Sequence, residues 1–109
     1  MTFASQGIFL PKNQLKQLFE NAAKTFKWVA KHARGQVLTQ QFNDKAFVMQ
    51  GFANTLDHMD KATLLDALEN MRHAYYEAAD NIADEKATYR LLKLALQTHD
   101  FAQKERRHG

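Results

Sequence analysis

The sequence contains no cysteine, a single proline at position 11, and glycine only at positions 7, 35, 51 and 109. Lack of cysteine excludes a disulfide scaffold, a thiolate zinc site and a cysteine nucleophile. The closest two glycines are sixteen residues apart, so no phosphate-cradling loop or dinucleotide fingerprint can be assembled. Ser5 is the only serine, which argues against a serine nucleophile. Long apolar runs are missing as well. Met1 to Pro11 is uncharged and carries Phe3, Ile8, Phe9 and Leu10, yet it lacks the basic start of a signal peptide. Ala46 to Leu56 includes Gln50 and Asn54 and is well short of a bilayer span. A cytoplasmic location is the default expectation.

The 109 residues, 45% hydrophobic and 25% charged, describe a single domain able to bury roughly two-thirds of its unfolded surface. Apolar residues alternate in steps of three and four. Leu15, Phe19, Ala22, Phe26, Val29 and Ala33 form one such series. A second comprises Leu38, Phe42, Met49, Phe52, Leu56 and Met59, with Lys45 at its one discordant site; a third comprises Leu64, Leu68, Met71, Tyr75, Ala78 and Ile82. This spacing lays one stripe along each of several helices, and no segment keeps the period of two that strands need. The expected fold is all-α, an up-down bundle of about four helices. An apolar arm (residues 1–10) lies across one end, and residues 105–109 form a basic tail.

Local chemistry sets the expected boundaries. Pro11 suits the first turn of a helix, and Lys31, His32 and Arg34 followed by Gly35 read as a C-terminus. The first helix therefore spans about Lys12 to Arg34. The second begins between Val37 and Asp44, with Thr39 or Asn43 as cap, and ends near His58. Asp60 is the expected N-cap of a third helix of about Lys61 to Ala79. Asp80 or Asn81 then caps a fourth, of about Ile82 to Lys104, a break favoured over one merged rod. That fourth helix has a narrow polar line, Lys86, Arg90, Lys93, Gln97, Asp100 and Lys104. Apolar groups flank it, with Ala87, Leu91, Leu94 and Phe101 on one side and Tyr89, Leu92 and Leu96 on the other. So broad an apolar face touches more than one neighbour, within the bundle or across a dimer.

Catalytic constellations are poorly supported. Glu69, His73 and Glu77 follow at i, i+4 and i+8, but all three point away from the core stripe, and the residue three after Glu69 is Arg72. Metal-binding bundles instead project Glu and His inward. Asp57-His58-Met59-Asp60 and His99-Asp100 read as ordinary helix-end polar residues. Neither a catalytic residue, a metal nor a cofactor is expected, and the chain is not read as an enzyme.

Binding has more to recommend it. Residues 1–45 carry seven basic and two acidic groups, residues 46–85 two and eight, and residues 86–109 six and two. Phe47 and Gly51, one turn apart, and Tyr76 lie off the core stripes, as interface residues do. The first reading is a non-catalytic adaptor, regulator or inhibitor working by protein–protein contact as a homo-oligomer. The alternative is a small nucleic-acid-binding protein. It would use Lys24, Lys27, Trp28, Lys31 and Arg34 on the first helix, extended by Lys104, Arg106 and Arg107 if the C-terminus folds back nearby. No membrane partner is implied.

Overall fold

Pro11 stands at the N-cap of the first helix, where its missing N–H costs nothing and its carbonyl accepts from the Leu15 N–H at 3.1 Å. From there α1 runs over Lys12–His32 and is followed by α2 (Gln36–Asn54), α3 (Lys61–Asn81) and α4 (Glu85–Arg107), with a 3₁₀ turn at Leu56–His58. The computed structural model describes residues 7–108, all-α with no strand among them. Short connections turn each helix antiparallel to the one before, giving the up-down bundle that the apolar spacing predicts. The tightest seams are α1 on α2 and α3 on α4.

Most of the expected stripe residues are buried. Leu15, Phe19, Ala22, Phe26 and Val29 of α1 meet Phe42, Met49 and Leu56, while Leu64, Leu68, Met71, Tyr75 and Ala78 complete the core from α3. Ala33, Leu38, Phe52, Met59 and Ile82 are half-buried. Phe26 lies at the centre, its ring 4.9 Å from Tyr75 and 6.2 Å from Phe42. Burial holds the Tyr75 phenol well above its ordinary range. Lys45, the discordant residue, holds its ammonium 5.8 Å from the centroid of the Phe42 ring and reaches Glu77 on α3 at 3.3 Å. A lysine is thereby accommodated at the edge of an apolar stripe without burying its charge.

Several boundaries differ from expectation. Gly35 does adopt positive φ, at 94°, but it is the N-cap of α2, and α1 already ends at His32 with Ala33 extended. Thr39 is therefore inside α2 and does not cap it. Its hydroxyl donates to the Ala30 carbonyl at 3.1 Å, satisfying one of the free acceptors at the end of α1. Asn43 lies inside α2 as well. Asp60 caps α3 as expected, accepting from the Thr63 N–H at 2.8 Å. The break before α4 is present, but Asp84 forms the cap, accepting from the Lys86 and Ala87 N–H groups at 2.9 and 3.4 Å. Asp80 and Asn81 remain in the last turn of α3. Half-buried Ile82 packs against the core between the two helices.

At the opposite end, the expected basic tail is the last turn of α4, and Glu105 within it is fully buried. Its two carboxylate oxygens accept from the Phe9 N–H at 2.8 Å and the Leu10 N–H at 3.0 Å, and Lys61 Nζ lies 3.0 Å from Oε2. Phe9 stacks on His108 with centroids 3.8 Å apart. The arm thus lies over this end through Ile8, Phe9 and Leu10; its residues 1–6, and Gly109 of the tail, fall outside the described residues.

Candidate functional site

Glu69, His73 and Glu77 share one helix and do not converge. Glu69 Oε2 receives the Arg72 guanidinium and lies 3.1 Å from His73 Nε2, whereas Glu77 turns to α2 and Lys45. The hydrogen bond from Arg72 holds the Glu69 carboxyl below the usual carboxylate range. Asp57 lies 3.7 Å from Lys12, with both side chains largely in water, and His58 is exposed in the 3₁₀ turn. Among the described residues, no three His, Asp or Glu side chains gather as metal ligands would.

Phe47 and Tyr76 lie on separate parts of the exposed apolar surface. Phe47 is 80% exposed on the outer side of α2, and apart from the backbone of its own helix and its chain neighbours nothing comes within 4 Å of where a Gly51 Cβ would stand. The bump and the open notch are therefore both in solvent. Tyr76 belongs to a different face. At 100° per residue, the α3 flank that holds Arg72 and Tyr76 turns toward α4, while Asn70, His73 and Glu77 turn toward α2. On α4 the inward residues are Leu91, Ala95, Thr98, Ala102 and Glu105. Tyr89, Leu92 and Leu96 lie on the flank bordering α3, all exposed, with Tyr89 at 66% and Leu96 at 60%.

Register joins these residues into one face. The Thr98 hydroxyl lies 3.5 Å from Met71 Sδ, and Lys61 reaches Glu105. Antiparallel pairing then sets Tyr76 level with Leu92, and Arg72 level with Leu96. Arg72 lies over the Tyr76 ring and Lys93 over the Tyr89 ring, at 5.8 and 5.4 Å. The Arg72 Nε is buried without a hydrogen-bond partner. Of this face, only Tyr76 stands out in the sequence as an interface residue. The signal for the rest is the excess apolar width of α4, one side of which is covered within the bundle and the other left open.

The basic residues divide differently. Lys24, Lys27 and Lys31 are exposed along α1, whereas Arg34, expected on the same helix, is exposed in the turn that follows it. Trp28 is 41% exposed, and the His32 imidazole stacks on its indole at 4.3 Å and 27°. The His32 Nδ1–H donates to the Trp28 carbonyl at 2.9 Å, fixing that ring. Trp28 borders a groove of about 430 Å³ between α1 and α4, lined from α1 by Lys24 and Thr25 and from α4 by Lys86, Ala87, Arg90 and Leu91. Lys104, Arg106 and Arg107 do not extend this surface. In an up-down bundle they lie at the far end, with Lys61 and the arm, and Lys86 to Lys104 alone spans roughly 27 Å of helix. Lys86 and Arg90 take their place beside Trp28. Both head the polar line of α4, but only the pairing of helix ends reveals which cations they join.

No protein-family model matches the chain, and neither a curated protein nor a solved structure matches it.

Proposed function

We propose that the protein works by contact with other proteins, as a non-catalytic helical adaptor, regulator or inhibitor, and that a second copy of the chain docks on its α3–α4 face. The observation that carries this reading is the exposed stripe of Tyr89, Leu92 and Leu96, continued by Tyr76 on the neighbouring helix. Covering such side chains contributes roughly 1.5–3 kcal/mol each, and aromatic residues beside an arginine are what interface centres favour.

Charge supports a second copy as the occupant. On this face α3 presents Glu69 and Asp80 on the side of Tyr76, and α4 presents Arg106 and Arg107 beyond Leu96. A two-fold axis running along the helices sets α3 of one copy on α4 of the other, so acidic side chains on one helix face basic ones on the other.

Light scattering on a size-exclusion column tests the reading. The wild-type chain should elute with the mass of a dimer at micromolar concentration. Leu92→Asp with Leu96→Asp should shift it to the monomer mass while leaving its helical circular dichroism unchanged. Phe47→Ala, on a separate part of the apolar surface, should leave the dimer intact. A monomer mass for the wild type across a wide concentration range would overturn self-association.

A further inference from the structure

The other flank of α4, bordering α1, carries a different kind of surface. Its groove has an apolar floor, with Leu91 buried and Thr25 and Ala87 half-buried, one aromatic wall, and a rim of Lys24, Lys86 and Arg90. Asp84 is the one acid lining it, and that carboxylate already caps α4 through the Lys86 and Ala87 N–H groups. Lys12, Lys45, Lys61 and Arg72 each find a carboxylate. Among the described residues Lys24, Lys86 and Arg90 make no ion pair. Three unspent cations thus surround an indole whose C-terminal side is already covered by His32. The same indole lines the cavity.

We infer that this groove binds single-stranded nucleic acid, with one unpaired base stacked on Trp28 and the adjoining phosphates on Lys24, Lys86 and Arg90. A ring and cations lining one cavity match the alternation of base and phosphate along an unpaired strand. The volume suits one nucleotide unit. A duplex offers no free base face to the indole. Lys27 and Lys31 line an adjoining depression between α1 and α2 that also shares Lys24 and Trp28, so positive charge continues beyond the cavity, as a strand requires and a lone nucleotide does not. Stacking accepts any base, so affinity depends little on sequence. The groove and the proposed dimer face lie on opposite flanks of α4, and neither inference depends on the other.

Trp28 is the only tryptophan in the chain, so its emission reports on this groove directly. Titration with a twelve-residue oligo-dT strand should quench that emission and saturate. If three phosphates are engaged, raising salt from 50 to 200 mM should weaken binding roughly 20-fold. Lys86→Glu with Arg90→Glu should weaken it at least tenfold more, with helicity and thermal unfolding unchanged. Lys104→Ala with Arg107→Ala, at the far end, should leave it nearly as in the wild type. The inference is overturned if the strand fails to quench the indole, or if a duplex of equal length binds as well. It is equally overturned if thymidine monophosphate binds as tightly as the strand, or if charge reversal at Lys86 and Arg90 has no effect.

Discussion

At the end of the bundle where α1 begins, arm backbone, a lysine of α3 and a carboxylate of α4 meet in one buried network; at the other end, a glycine turn and the Asp84 cap hold the connections. Glu105 has partners 95 and 96 residues away in sequence, whereas Asp84 bonds residues two and three away. The first arrangement commits every polar group to another part of the chain. The second satisfies backbone locally, and Lys24, Lys86 and Arg90 beside it retain unspent charge. A closed end is therefore a matter of stability, and an open end leaves charge available for a ligand.

The closed end is most vulnerable at Glu105. Replacing it with alanine strands two backbone N–H donors and a largely buried lysine, and should cost about 3–5 kcal/mol in urea-induced unfolding. Burial alone would raise the Glu105 carboxyl, but the Phe9 and Leu10 N–H groups and Lys61 outweigh it and hold it below its ordinary 4.5. A depressed folded value means that the contribution is present above about pH 4.5 and is lost as pH falls through that lowered value. Glu105→Gln should therefore flatten the acid limb of the stability curve.

Two glycines sharpen the contrast from the open end. Gly35, at φ 94° and ψ 153°, holds a backbone conformation closed to side chains even though space around it is free. Gly35→Ala should destabilise by about 1–3 kcal/mol. Gly51 is helical with the same open surroundings, so Gly51→Ala should be neutral or stabilising by about 0.5–1 kcal/mol. Thermal unfolding of the two variants side by side separates torsional need from crowding. The smallest effect belongs to Lys12→Ala. Its ion pair with Asp57 lies in water at the closed end, and its loss should change stability by less than about 0.5 kcal/mol.

Sequence reading succeeds here where one helix settles the matter alone. The three-four spacing of Leu15 to Val29 identifies the buried side of α1, and Asp60 before Lys61 marks the start of α3. It falters where neighbours decide. Asp80, Asn81 and Asp84 are all capable caps, and packing of Ile82 against the core accompanies the choice of the last. Glu105, amid Lys104, Arg106 and Arg107, reads as one more residue of a charged tail, because its partners are nearly the whole chain away. The α1 half of the Trp28 groove is legible as lysines beside an indole. The α4 half depends on which helix ends meet.

The Glu105 contacts also bear on synthesis. Phe9 and Leu10 are synthesised before the carboxylate that holds them, which follows 96 and 95 residues later. Until residue 105 is made, the Phe9 and Leu10 N–H groups lack this acceptor, and only the apolar packing of Ile8 and Leu10 holds the stretch to the core. The polar half of the closure is thus the last to become available, and a nascent polypeptide stalled before residue 105 would lack it.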